Sequence, residues 1–525
     1  MMWFCYVKIV ALLYLIYRLL KFWIFKPWRI HKDLSAQGIP GQYTPIIGEA
    51  FVIRRAILAD DPMSYNIEMT KKFGSYYHVS FGPIARLVIS DPSLIRGVLK
   101  TNAYAYHKSI LMELILGILL GSKNLLMAED NIHAQHRRLI APAFQHQNLN
   151  SMISLMFEIT SNLLNKWSMI INNNKNNEVY QLIVDIHKEM TSLTLDIVTG
   201  CVFGSEVMKD QHVREIISRA VTKTFADVEE RTFNLIGIIP IVNRLPLSSK
   251  RRIDKSKKDV RQAVEHIIEE RKKGFTKTAC KGCVAFVLRI ASTILIIFTF
   301  IGPDLLDLLL SAHGNDKTSK LSDEELFEEA LTFVVAGHET TATLMTWTLY
   351  NLVNNPDICH RLEAEIDSVL NDNEEITAST LSLLAYTELV LKESLRLHQP
   401  APSLVRTTIE DNTLIASDGK HIHIKKGTDI LINLFSLHHS EKYWDEPFKF
   451  DPSRFDERHV DTYLPFSTGP RSCIGQNFAM LEAKIMLAMI IKRFRFEIIP
   501  GQKHVPEITI TMRPKYGMWM KVLPR

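Results

Sequence analysis

The sequence predicts a mainly α-helical domain with small β-sheets, an α+β fold, behind an apolar N-terminal segment. Three observations carry this. Residues 151–273 place their apolar side chains at helical spacing in long amphipathic runs. Ser322-Asp-Glu-Glu325 reads as a capping box that opens a long apolar helix. Tyr76-Tyr-His-Val-Ser-Phe81 and Ala85-Arg-Leu-Val-Ile89 alternate around Gly82-Pro83, which predicts a hairpin. With 525 residues, 46% hydrophobic and 23% charged, the chain is globular and long enough for one large enzyme domain plus an anchor. A net charge of +5 is small for that length and gives no sign of a nucleic-acid partner. The six cysteines are mostly far apart, which argues against a disulfide framework and for a reducing compartment.

In chain order, residues 1–30 read as a membrane anchor. The first 25 are mostly Leu, Ile, Phe, Trp and Tyr, with no small-residue cleavage site after them. Lys8, Arg18, Lys21, Lys26 and Arg29 fall within an arc of about 140° on a helix. Such a helix spans with snorkelling ends or lies in the interface. The basic residues that follow it favour a cytoplasmic main body. A hinge over 31–48, with Gly38-Ile-Pro-Gly41 and Pro45, leads to a single domain over 49–525. Residues 110–120 are almost wholly apolar and read as core or as pocket lining. His133 and Arg137 share a helical face and are spaced to grip one anionic group. The basic stretch from Lys250 to Arg261 reads as a solvated helix face. Residues 284–301 are apolar except for Arg289 and a few Ser and Thr, long enough to cross a membrane. Cys280 and Cys283 just before them lack the second pair that a zinc site would need.

The chemistry is concentrated in the last two hundred residues. The capped helix stays apolar through Val335, then carries Ala336-Gly-His-Glu-Thr-Thr341 before resuming with Leu344, Met345 and Trp347. Polar groups inside a buried helix are costly unless used. Ala336 and Gly337 leave room for a flat or diatomic ligand, while Glu339 and Thr340 supply an acid and a hydroxyl for moving protons. Glu393 and Arg396 are three apart on a later helix and are placed to pair. Phe466-Ser-Thr-Gly-Pro-Arg-Ser-Cys-Ile-Gly475 holds one cysteine between two glycines. Burial favours a neutral thiol, so an anionic Cys473 needs compensation. Gly469 and Gly475 permit tight turns that bring N–H groups towards the sulfur, and Arg471 is expected to add a fixed positive charge. The helix predicted over 477–494 adds its positive end. No second Cys or His lies nearby for zinc, so an iron already held by a porphyrin suits this thiolate better.

The pattern F-x-x-G-x-R-x-C-x-G resembles the cysteine-ligand loop of the cytochromes P450, the haem-thiolate monooxygenases of the microsomal eukaryotic type. Ala336 to Thr341 resembles their oxygen-activation motif, Glu393-Ser-Leu-Arg396 their E-x-x-R, and Phe450-Asp-Pro-Ser-Arg-Phe455 their F-x-P-x-R-F, all in family order. The resemblance implies haem b lying between a long central helix and the cysteine loop, with Cys473 as the iron's axial ligand and Phe466, Gly469 and Arg471 around it. It implies that Arg137 and Arg406 reach the haem propionates, with His133 standing where the family has tryptophan. It implies that Glu339 and Thr340 relay protons to dioxygen, that Glu393, Arg396 and Arg454 form a structural network, and that Leu404 and Val405 face the substrate. Ala336 stands where a fatty-acid hydroxylase branch often has a glutamate bonded to haem, so no covalent tether is expected. The expected reaction inserts one atom of O2 into a lipophilic substrate such as a fatty acid, steroid or xenobiotic. No G-x-G-x-x-G segment follows Cys473, so electrons from NADPH are expected through a separate NADPH-cytochrome P450 reductase, with cytochrome b5 as an additional partner. The expected location is the endoplasmic reticulum membrane, with the catalytic domain cytoplasmic. Because residues 50–275 and 303–525 then share one core, residues 276–302 are expected to be an insertion, a loop or translated non-coding sequence, and not a second span. Two rival classes share the fold: a lipid hydroperoxide isomerase or dehydratase, against which the Glu339-Thr340 pair counts, and a non-enzymatic haem-binding protein. The insertion or the His133 change would also suit an inactive copy.

Overall fold

The computed structural model describes residues 2–46, 48–81, 84–174, 181–204, 304–311, 321–371, 376–456, 461–508 and 510–525, with short runs between 215 and 269. The expected insertion over 276–302, Cys280, Cys283, the Gly82-Pro83 turn and part of the basic stretch lie outside the described residues.

Helix α1 (Met2–Leu20) passes through one π-helical turn into α2 (Lys26–Ala36). Apolar side chains are exposed along the length of α1, from Trp3 and Phe4 to Leu19 and Leu20. Among the described residues no helix is long and apolar enough to cross a membrane. Ile30 and Leu34 of α2 are buried in a sheet-side core with Leu87 and Ile430, so α2 packs on the domain. Within the stretch expected as a hinge, 31–48, the helix continues to Ala36, and the chain turns at Gly38, whose φ of +68° suits glycine.

Strands β1 (Tyr76–Phe81) and β2 (Ile84–Ile89) form the expected hairpin, with Tyr76 opposite Ile89. Then follow β3 (Tyr106–Lys108), α3 (Asp130–Ile140), α4 (Ile153–Asn174), β4 (Leu182–Asp185), α5 (Ile186–Phe203), α6 (Asp323–Asn354) and α7 (Ala385–Leu397). Next come β5 (Ser403–Thr408), β6 (Asn412–Ile415), β7 (His421–Ile424), β8 (Asp429–Asn433) and α8 (Gln476–Arg493). The chain closes with β9 (Phe494–Ile498), β10 (Pro506–Ile508), β11 (Met512–Pro514) and β12 (Trp519–Pro524). One sheet runs β1-β2-β8-β5-β3, with only β2 and β8 parallel, and a second runs β4-β12-β9. Sequence alternation over 508–512 predicts a single strand, but Ile508 pairs with Met512, so the two belong to separate strands, β10 and β11.

The long helix starts where the capping box predicts. Ser322 Oγ accepts the Glu325 N–H at 3.3 Å, and Glu325 Oε2 accepts the Ser322 N–H at 2.7 Å. It then runs for 32 residues without interruption, so the polar motif inside it does not break it. Its apolar faces are buried with α4, α5, α7 and α8 around Trp167, Phe203 and Trp347. Each fully buried side chain of this size contributes about 2 kcal/mol before its ordering entropy is subtracted. Helix α5 lies hard against α6. Thr194 Oγ1 donates to the His338 carbonyl at 2.8 Å, and a Cβ on Gly337 would stand 2.8 Å from Val198 Cγ2. Gly337 is thus small to admit a neighbouring helix, and not to clear space for a ligand as its sequence position suggests.

Candidate active site

The cysteine loop is folded on itself and pinned from both sides. The Cys473 N–H donates to the Phe466 carbonyl at 3.0 Å, and the Ser472 N–H to the Gly469 carbonyl at 3.1 Å. Gly469 has φ +80°, and a Cβ there would lie 2.0 Å from the Leu99 carbonyl oxygen. Both facts forbid a side chain. A Gly469→Ala variant is expected to lose most haem uptake while keeping its helical circular dichroism; full haem content in that variant would refute this role for the turn.

Arg471 does not do what its sequence position suggests. It turns away from the sulfur: Nη1 donates to the Ala103 and Tyr106 carbonyls at 2.7 and 2.8 Å, and Nη2 to Glu129 Oε2 at 2.5 Å. The tight turn at Gly469 leaves it on the β3 side of the loop. The cation that faces Cys473 is Arg137 of α3, which donates to Ser472 O at 2.6 Å and Ser472 Oγ at 3.2 Å. Burial pushes the Cys473 thiol up, and the Gly475 N–H and the Arg137 charge oppose it. Helix α8 begins three residues later, at Gln476, and directs its positive end towards the same loop. Cys473 lies deep in the molecule yet its surface is exposed, so it borders an internal opening.

Helix α6 supplies a second border. From Leu326 to Leu349 every residue is buried except Ala336, Gly337 and Thr340. Ala336 and Thr340 are one turn apart and form one open face. Thr340 Oγ1 donates to the Ala336 carbonyl at 2.8 Å. Phe144 links the two borders: its ring meets Phe333 edge-on at 5.4 Å, and its Cε1 lies 4.0 Å from where Gly475 would carry a Cβ. Glu339 does not share the open face. Its carboxylate is buried on another side of α6, 3.3 Å from Thr511 Oγ1 and 3.6 Å from His187 Nε2. Burial works to raise its pKa, but the His187 ring holds it below the usual carboxylate range.

Around Arg471 positive charge accumulates. Arg406 on β5 is 7% exposed and, among the described residues, donates only to its neighbour's carbonyl, Val405 O. Burial and Arg471 press it down to about 10. Lys108 is pressed down to about 8 by burial, with Arg471 and Arg406 adding to the effect. His133 is buried, and burial with Lys108 and Arg471 lowers it to about 4, so its ring is neutral. Among the described residues Arg471 Nε has no partner. Among the described residues only Glu129 forms an ion pair with these cations, through Arg471. A buried surplus of cations calls for an anion, and a planar group carrying carboxylates beside a thiolate fits it. Sequence reasoning missed Lys108 and Glu129; neither stands in a recognisable spacing.

Away from the opening, the carboxyl–guanidinium network is fully formed. Arg396 donates to both Glu393 oxygens at 2.8 Å, and Arg454 Nε to Glu393 Oε1 at 2.9 Å. Arg396 also reaches the His438 and Pro447 carbonyls, and Arg454 that of Asp445. The carboxylate ties α7 to residues 451–454, and Arg396 extends the tie to His438.

Comparisons with known proteins agree with this geometry. The family model for Cytochrome P450 matches residues 39–520. The chain is 31% identical over 525 residues to cytokinin hydroxylase of Arabidopsis thaliana, covering 96% of this chain and 94% of that protein. It is 32% identical over 469 residues to Protein LUTEIN DEFICIENT 5, chloroplastic, of the same plant, covering 87% and 73%. It is 29% identical over 474 residues to human cytochrome P450 4F12, covering 89% and 86%. In fold it matches a retinoic acid-bound cyanobacterial cytochrome P450, CYP120A1, with a TM-score of 0.72 at 23% identity, covering 93% of this chain and 99% of that one. The chain belongs to the cytochrome P450 family. It is a haem-thiolate monooxygenase, and haem b is its cofactor.

Proposed function

We propose that this monooxygenase hydroxylates a lipophilic substrate, such as a fatty acid, steroid or xenobiotic, with electrons from NADPH supplied by a separate NADPH-cytochrome P450 reductase and with cytochrome b5 as an additional donor. The observations that carry the reading are the accessible Cys473 and the accessible Ala336–Thr340 positions of the otherwise buried α6, joined through Phe144, with Leu404 and Val405 of β5 half-buried on the sheet side. Cys473 would hold the haem iron, within the loop that Phe466 and Gly469 shape, and Arg137, His133, Arg406 and Arg471 would receive the propionates. Thiolate-ligated haem supplies dioxygen activation, since electron donation from sulfur favours O–O cleavage. Thr340 Oγ1 stands on the open face and holds a proton beside the reacting centre. Glu339 lies behind it against His187 and Thr511, where its ionised carboxylate would take part in the relay as a proton acceptor, while Ala336 keeps the face clear. The exposed apolar surface of α1 and the cations Lys8, Arg18 and Lys21 support residues 1–30 as the anchor to the endoplasmic reticulum membrane, with residues 49–525 as the cytoplasmic catalytic domain.

A reconstituted system of the full chain, reductase, NADPH and a lipophilic substrate panel tests this. Hydroxylated product that requires both NADPH and reductase is expected; product formed from hydroperoxides alone would point to the isomerase instead. Thr340→Ala is expected to divert electrons to peroxide, lowering product per NADPH consumed several-fold. Unchanged coupling would remove Thr340 from the mechanism.

A further inference from the structure

Helix α3 carries a second histidine, His136, that the reaction as described leaves unused. It is 2% exposed, and both ring nitrogens meet carboxylates of α6. Nδ1 lies 2.7 Å from Glu329 Oε1, and Nε2 lies 3.6 Å from Glu325 Oε1. Glu329 is fully buried and also accepts the Leu125 N–H at 2.7 Å. Its neighbour Glu328 accepts the Lys123 N–H at 2.6 Å and packs so closely on Gly121 that a Cβ there would fall 1.9 Å from its Oε1. The first turns of α6 thus hold both the 121–125 loop and α3, and His136 is the contact to α3. Burial disfavours the charged ring, but Glu329 and Glu325 outweigh it and raise His136 above its ordinary value. His133 of its own helix lies near it, and Lys123 lies near Glu325. A charged hydrogen bond without water is strong, and a ring between two acids has little freedom to turn.

The next residue is Arg137, whose guanidinium holds Ser472 and faces Cys473. One helical position therefore separates the clasp on α6 from the clasp on the cysteine loop. We infer that His136 is a positioning residue for the thiolate: clasped by Glu329 and Glu325, it fixes α3 so that Arg137 stays seated on the Cys473 loop while α6 keeps its distance. Loss of the clasp frees α3 to shift, and the loop loses its cation before the fold is lost. The inference rests on Cys473 as the iron ligand.

The test uses the full-length haem protein and three variants, His136→Gln, His136→Phe and Glu329→Gln, with Leu352→Ala at the far end of α6 as a destabilised control. In each, urea is raised while two signals are followed: the red-shifted ferrous carbon monoxide band of thiolate ligation and helical circular dichroism. In the parent and in Leu352→Ala the two signals are expected to fall together. In the clasp variants the band is expected to fall first, with about a tenfold larger share of non-thiolate protein before urea is added, the scale of one charged hydrogen bond. The His136→Gln, Glu329→Gln double variant should be no worse than either single one, because both break the same contact. If the signals fall together in every variant that binds haem, or if the double variant is additive, the inference is overturned. A parent with no red-shifted band overturns the reading of Cys473 and the inference with it.

Discussion

A Glu393→Ala variant is expected to express poorly and to bind almost no haem. Glu393 and Arg396 are both fully buried, and the carboxylate accepts from two guanidinium groups at once. Removing it leaves the Arg396 charge in the core with only carbonyl partners. Breaking a buried pair in this way costs about 3–5 kcal/mol, against a total stability of about 5–15 kcal/mol for a domain. The loss is larger than the pair's net worth, because the orphaned charge is what destabilises. Glu393→Gln keeps two hydrogen-bonding atoms and is expected to fall between the two. Thermal unfolding and haem content per chain measure both. A Glu393→Ala protein that unfolds at the parent's temperature with full haem would contradict this account.

Cys473→Ala is expected to abolish turnover and to remove the red-shifted carbon monoxide band altogether, while leaving the helical signal largely in place. The loop is held by backbone contacts at Phe466, Gly469 and Leu99 and by Arg137 on Ser472, none of which needs the sulfur. Neither of the other two cysteines among the described residues suits the role. Cys201 is buried among apolar side chains, which pushes its thiol well up, and burial raises Cys359 to about 11. Cys201→Ala is therefore the control, with full band and turnover expected. A Cys473→Ala protein that retained the band would remove the cysteine from the iron site.

The parts of this protein that were legible in its sequence are those in which one short stretch carries its own reason. The capping box at Ser322 and Glu325 is such a case, since both partners lie within one turn. Glu393 with Arg396 is another, and the glycines around Cys473 declare a turn. What was not legible depends on direction. Arg471 sits two residues from Cys473, but the turn sends its side chain to Glu129, and Arg137, more than three hundred residues earlier, takes the place beside the sulfur. Glu339 and Thr340 are adjacent in sequence and look like one unit. A helix rotates consecutive residues by about 100°, so Glu339 meets His187 while Thr340 meets the opening. Gly337 looked like room for a ligand and turned out to be room for Val198. Lys108 and Glu129 had no pattern at all, because their meaning comes only from β3 and α3 being brought together around Arg471.

The second sheet has a consequence for how the molecule is made. Its middle strand, β12, pairs with β9 nearby and with β4, and the Met518 N–H reaches Asp185 across 333 residues of sequence. Asp185 is also the N-cap of α5, the helix against which α6 is seated. On the ribosome, β4 and the start of α5 emerge long before the strand that completes them. Until β12 arrives, β4 is an unpaired edge, a template for wrong partners, and such distant pairing is slow to form. The nascent chain thus waits through most of its synthesis with the start of α5, on which α6 is seated, unsupported. Cells short of chaperone capacity are expected to lose this protein as aggregate during translation, before haem has any site to enter.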